Sequence, residues 1–340
     1  MIRVVVSENN VENALVLLDI AEADLRASDV LLNEGLFNQA IFMAEQACEK
    51  TCKAIMLYRG VVSSKDLSRR IGHEVSLRGI EVIRRYLDMQ VSGLLKALDF
   101  LCFSRKLYEI VVKDYLPEQS FEFNEVRVLD DVVYELRSHL EYLDKLLSEI
   151  KRTICSKKLR ELLLRPDDGV RQVLSKLRSN TFEKFIEFEV GFIKQAVDTL
   201  LYSLVPVLVV SDKPLSLQVD EVVEKLLKDK EVAIFIDELA KEIYLSSMLS
   251  CLMAWSYLFE PFVSSVRYSI SPVDIEEESA IVVIAKEFVR YMYNDEVIPV
   301  IKAFISDKIK ENEKASKICF LLINILKEKI KFVLNVVFKD

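Results

Sequence analysis

Apolar residues recur at three- and four-residue intervals along nearly the whole chain, the spacing of helices with one buried face. Leu15, Leu18, Ala21, Leu25, Val30 and Leu32 follow it up to Gly35. Asn9 and Asn10 ahead of Glu12 place a polar cap and an acidic first turn at the start of that helix. A second helix is predicted over 36–59, with Gly60 as its C-cap. Ser63 to Asp66 restarts a helix that carries Arg69, Arg70 and His73. Long helical stretches follow over 87–114 and 124–159, separated by a turn at Tyr115 and Pro117. Pro166, Asp167, Asp168 and Gly169 form the clearest breaker, so domains are expected over 1–162 and 163–340. Beyond it the period predicts helices over 170–180, 182–204, 217–228, 232–259, 276–294 and 297–337, the last with a break near Asn312. Residues 205–211 read as a short strand or as the extended exit from a helix broken by Pro206.

Glycine usage strengthens the all-α assignment. The 340 residues contain only 7 glycines and none after Gly191, which leaves 149 consecutive residues without one. Sheet-rich folds and phosphate-cradling loops depend on positive-φ positions that glycine normally fills. The abundance of Leu, Ile, Val, Glu and Lys points instead to long helices and short turns.

Charge and cysteine content narrow the chemistry. A net charge of −8 and a pI near 5.2 exclude a uniformly basic surface for duplex nucleic acid, leaving room for a local basic patch. The six cysteines, at 48, 52, 102, 155, 251 and 319, include no C-x-x-C pair, and the two histidines, His73 and His139, lack zinc spacing. Reduced buried thiols are expected, with no metal and no cofactor. Residues 1–7 have no apolar signal-peptide core. The longest uncharged run, Tyr244 to Phe259, is 16 residues, short of the about 20 needed for a bilayer span. A cytoplasmic location is expected.

The second half reads as a worn copy of the first. A shift of 149 residues lays Leu25 on Leu174, Gln46 on Gln195, Ala47 on Ala196 and Glu49 on Asp198. With four residues more, Tyr115 meets Tyr268 and Pro117 falls near Pro272. Within the first half stand Ala23-Asp24-Leu25, Leu31-Leu32, Phe42, the run Gln46, Ala47, Glu49, Lys50, Lys53, Ala54, and Gly72-His73-Glu74-Val75 with Leu77. On these residues, positions 1 to about 155 resemble the HEPN family (higher eukaryotes and prokaryotes nucleotide-binding domain). Val266-Arg267-Tyr268-Ser269 ahead of Ile275 and three glutamates is similar to the family's Arg-Tyr turn into its last helix.

The resemblance implies two up-and-down helical bundles packed as an internal pseudo-dimer, with an extra C-terminal helix after Asn312, in a chain that is a monomer. It implies binding of RNA, a nucleotide or a partner protein such as a nucleotidyltransferase, in a toxin–antitoxin setting. It supplies Lys50, Lys53, Arg70, Arg267 and Tyr268 as candidate ligand-binding residues. Family RNases carry an arginine, four to six residues and then a histidine on one helix, so that the histidine works on the 2′-hydroxyl while the arginine meets phosphate charge. Here that register holds Asp66, Leu67 and Ser68 before His73, and Val132, Val133 and Tyr134 before His139. Arg69 and His73 share a face at i,i+4 and are the one displaced candidate for a catalytic pair. Arg137 and His139 diverge around the helix. A non-catalytic binding module is therefore expected, with a displaced-pair RNase and a purely structural scaffold as alternatives.

Overall fold

The computed structural model describes residues 8–60, 62–63, 67, 105–106, 109, 161, 163–164, 219–268 and 275–339. The described chain is helical: α1 (Glu8–Asn33), α2 (Phe37–Tyr58), α3 (Val219–Lys228), α4 (Lys230–Tyr268), α5 (Ala280–Asn294), α6 (Val297–Ile305) and α7 (Glu313–Lys339). A 3-10 turn, Ile309–Glu311, joins α6 to α7, and the described residues include no strand. The predicted boundary at Pro166 to Gly169, the 205–211 segment, and Leu174, Gln195, Ala196 and Asp198 lie outside the described residues.

The first two helices form a hairpin. α1 turns Ala14, Leu18, Ala21, Leu25 and Leu32 inward, one residue per turn, and Ser28 on the same face donates to the Ala40 carbonyl at 2.9 Å. Gly35, at φ +74°, closes α1 in a Schellman turn: its N–H reaches Leu32 O at 3.3 Å and the Leu36 N–H reaches Leu31 O at 2.9 Å. A Cβ at Gly35 would meet nothing within 4 Å, so backbone conformation and not crowding requires glycine there. The expected start at Asn9 and Asn10 falls inside the helix, which already includes Glu8.

The centre of the molecule is α2. It packs against α1, α4, α5 and α6, and from Ala44 to Tyr58 nearly every side chain is buried. Ala40, Ala44, Ala47 and Ala54 keep the helix slim enough for neighbours on several sides. Residues from both ends of the chain therefore share one hydrophobic core, which joins Leu18, Ile41 and Ile55 to Phe259, Phe288 and Phe304. Aromatic contacts knit its far side. Trp255 and Phe259 meet Phe288 at centroid distances of 5.5 and 5.3 Å, and Tyr244 stacks on Phe304 at 4.6 Å.

Two boundaries differ from those read in the sequence, and a third agrees. Glu260 and Pro261 do not stop α4, which continues to Tyr268. An interior proline removes a backbone hydrogen bond and costs about 3 kcal/mol. Phe259 and Phe262 on either side are fully buried, and burial of each phenyl ring is worth about 1.5–3 kcal/mol. Packing outweighs the local penalty. Arg267 and Tyr268 are consequently the last residues of a helix and not a turn within the described chain. α5 begins at Ala280 and not at Glu276, because the Ser279 hydroxyl donates to the Glu276 carbonyl at 2.6 Å and fixes a turn there. The break near Asn312 is present, and the Asn312 side chain caps α7 by accepting the Ala315 N–H at 2.8 Å.

Capping of α4 falls to Asp229, whose Oδ1 accepts the N–H groups of Glu231 and Val232 at 2.9 and 3.2 Å. Partial desolvation opposes ionisation of Asp229, but the two backbone donors and Lys106 outweigh it and hold the carboxyl below its ordinary 3.8. A lowered folded pKa means the charged cap stabilises fully above that ordinary value and is lost as pH falls through the folded one. Asp229→Asn keeps an acceptor but removes this titration. Urea denaturation should show a wild-type advantage over Asp229→Asn that is constant near neutrality and shrinks in the acid range below 3.8.

A chain without glycine after position 191 must make its tight connections with other residues. Glu296 (φ 48°) before α6 and Asp307 (φ 57°) after it both occupy the left-handed region. Each non-glycine residue there costs about 1 kcal/mol. Asp307 has a second task, since its carboxylate pairs with the buried ammonium of Lys241. Glu296→Gly should therefore raise unfolding free energy by about 1 kcal/mol. Asp307→Gly should lower it, since the relief of strain is outweighed by a buried cation left short of a partner. Both are read from urea melts.

Candidate functional site

The polar face of α2 carries a network of side chains. Gln46 sits at its junction. Its amide nitrogen donates to Glu45 Oε2 at 2.7 Å and Glu49 Oε2 at 3.2 Å, and its carbonyl oxygen accepts from Lys50 at 3.0 Å. Lys50 reaches across to Asp24 of α1 at 2.5 Å, and Lys53 pairs with Glu49 at 2.5 Å. Glu45 and Glu49 are almost entirely buried. They lie one turn apart and would repel each other along the helix without the bridging amide and the ammonium groups.

The helical period explains the assembly. Residues 46, 49, 50 and 53 fall at three- and four-residue steps, so their side chains stack along one stripe. Glu45 joins by reaching back from the neighbouring position, and Asp24 is delivered by the antiparallel α1. Among the described residues the cluster joins the carboxylates of Asp24, Glu45 and Glu49 to the ammonium groups of Lys50 and Lys53. Lys50 and Lys53 are thus brought together, but each is already engaged by an acid. An incoming phosphate would have to displace Asp24 or Glu49 to reach them, which sets this face apart from a bare cationic patch.

Of the other candidates, Arg69, Arg70 and His73 lie outside the described residues, as does His139. Arg267 and Tyr268 stand at the C-terminal end of α4, remote in sequence from the α2 stripe.

Two further groupings stand outside the α2 stripe, of which the sequence reading foresaw only the buried thiols of the second. The first surrounds Lys241 on α4, a buried ammonium that binds Asp307, approaches Glu238 at 3.8 Å and lies 5.7 Å from the centre of the Tyr58 ring. Burial disfavours its charge, yet Tyr58, Asp307 and Glu238 outweigh that and hold the ammonium well above the usual lysine range. Its readable signal was register: Lys241 falls four and eleven residues before the buried Leu245 and Leu252, inside an apolar stripe. The second grouping gathers thiols. The Cys48 thiol donates to the Leu252 carbonyl at 2.9 Å, Cys52 is beside it, and Cys251 meets the Tyr291 hydroxyl at 3.7 Å. Burial first, then Cys52, pushes the Cys48 thiol up, which disfavours the nucleophilic thiolate. Among the described residues no group of His, Cys, Asp and Glu is arranged to hold a metal, and no helix is long and apolar enough to cross a membrane.

The junction role of Gln46 is testable. Gln46→Leu leaves two buried carboxylates without their shared donor and should cost about 2 kcal/mol of unfolding free energy. Gln46→Glu adds a third carboxylate between them and should cost more at neutral pH, with part of the loss recovered on acidification. Urea melts at two pH values measure both.

Residues 14–151 match the family model of the HEPN domain, a segment that begins in α1 and contains all of α2. No curated protein and no solved structure matches the chain.

Proposed function

We propose that the chain is a non-catalytic HEPN-type module that works by binding a partner protein, a nucleotide or RNA. One observation carries the reading. Both histidines of the chain fall inside the segment that matches the HEPN domain, and neither has an arginine in the family's RNase register. The geometry of α2 adds support, since Lys50 and Lys53 are spent on Asp24 and Glu49, in a network that stiffens the scaffold. Arg70, Arg267 and Tyr268 are the proposed ligand contacts, joined by Lys50 and Lys53 where a ligand anion displaces Asp24 and Glu49.

The two lengths of chain, 1–162 and 163–340, are proposed as related bundles that form an internal pseudo-dimer. The shared core of α2 with α4, α5 and α6 favours this arrangement, because an intramolecular partner must preserve packing and is released from preserving chemistry. A cytoplasmic setting beside a nucleotidyltransferase, as in a toxin–antitoxin pair, is the proposed context.

The purified chain incubated with mixed RNA should produce no cleavage above that of the buffer, and His73→Ala should change nothing. Cleavage that disappears in Arg69→Ala and His73→Ala would install the displaced-pair RNase instead. Fluorescence titrations with RNA, nucleotides and a purified nucleotidyltransferase should give saturable binding to at least one. Silence in all three would reduce the molecule to a scaffold.

A further inference from the structure

α7 combines two features that its packing does not use. It carries six lysines against two glutamates, in a chain whose net charge is −8. It also exposes a compact apolar patch: Phe320 is 68% exposed, Leu321 59% and Ile325 47%. Ala315 and Cys319 turn inward, toward the body that α7 shares with α3, α4 and α6. At about 100° per residue, Phe320 and Leu321 flank the line opposite that buried face, and Ile325 lies one turn beyond Leu321. Scattered exposed apolar residues are ordinary. Three bulky ones gathered on one side of a single helix form a patch of the kind that receives a partner.

The charges around the patch identify its occupant. Lys314 and Lys317 precede it in sequence and Lys327, Lys329 and Lys331 follow it, while residues 318–326 between them carry no charge. That run is about 14 Å long, far short of a bilayer span, so the helix has to lie along an apolar surface and not through one. Lysine stems keep their ammonium groups at headgroup level while phenyl and aliphatic groups enter the acyl boundary. The two glutamates are already engaged by lysines of the same helix: Glu313 by Lys317 at 2.5 Å and Glu328 by Lys331 at 3.7 Å. At such exposures the patch is a ridge, which a fluid bilayer accommodates and a folded protein would have to match with a fitted groove. The rest of the chain is strongly acidic, so an anionic surface repels it and attracts α7, which orients the molecule.

We infer that α7 docks the chain in the plane of an anionic lipid bilayer, with Phe320, Leu321 and Ile325 in the acyl boundary and the lysines at either end of the patch on headgroup phosphates. Apolar contact and charge act together, so neither a neutral bilayer nor a soluble anion holds the chain well. α7 stands outside the residues that match the HEPN domain, and the inference is independent of the ligand chemistry proposed above.

Flotation of the full chain with lipid vesicles tests it. Vesicles of phosphatidylserine and phosphatidylcholine in equal parts should carry the chain up the gradient, and phosphatidylcholine alone should bind it about tenfold more weakly. Lys317→Gln and Lys327→Gln should each lower the affinity about fivefold. Phe320→Ser combined with Leu321→Ser should abolish flotation and leave the circular dichroism melt unchanged, since both side chains are exposed. Ile20→Ser, which removes an exposed apolar side chain from α1, should leave flotation as it was. Equal binding to the two kinds of vesicle, a Phe320 and Leu321 double variant that floats like the parent, or an equal loss in Ile20→Ser overturns the inference. A chain that stays at the bottom of the gradient with every vesicle overturns it as well and leaves the ridge to an acidic protein surface.

Discussion

The fold depends on a helix that is buried on nearly every side and yet carries charge. α2 cannot turn a polar face to solvent, because α1, α4, α5 and α6 surround it. Its polar residues must therefore satisfy one another, and Gln46 makes that arithmetic close. An amide supplies both donors and an acceptor, so one side chain serves two carboxylates and a lysine at once. Neither glutamate nor lysine at that position could do the same. The network joins local helix periodicity to tertiary structure through the cross-helix bond from Lys50 to Asp24, which helps set the rotation of α1 on α2.

That constraint bears on function. A lysine pair displayed on a helix suggests phosphate binding until its surroundings are known. Here the ammonium groups are held at 2.5 Å by carboxylates in a partly dry environment, where breaking such pairs is costly. The network serves architecture first. The same logic applies to Lys241, whose buried charge ties the C-terminal end of α2 to α4 and to the connection after α6. In both places ionic groups act as pins between helices that would otherwise be free to rotate along smooth apolar faces.

Helix periodicity and glycine content made the all-α class legible, and the α1–α2 hairpin was readable almost to the residue because Gly35 and Gly60 mark both C-termini. The 46, 49, 50, 53 stripe was visible as well. What it was for was not, since Asp24 is 26 positions from Lys50 and only an antiparallel hairpin brings them together. Pro261 misled for a related reason. Its penalty is local and legible, while the compensating burial of Phe259 and Phe262 comes from elements distant in sequence. Glu296 gave no warning, because nothing in a glutamate side chain announces a positive φ, and Asp307 offered only the mild preference of aspartate for the left-handed region.

The scarcity of glycine then has a structural consequence beyond fold class. Where other helical proteins relax a connection with glycine, this one imposes a left-handed turn on an acidic residue and, at Asp307, draws a return from it. The strained backbone aims a carboxylate at Lys241, so the cost of the turn and the neutralisation of a buried cation are met by one residue. Among the described residues Glu296 makes no comparable exchange. The difference separates two kinds of local strain: one that the fold uses to place a charge, and one that it carries because α5 must reverse into α6 within Asp295 and Glu296. Only the first kind is coupled to the core, and a change there reaches α2 through Lys241 and Tyr58.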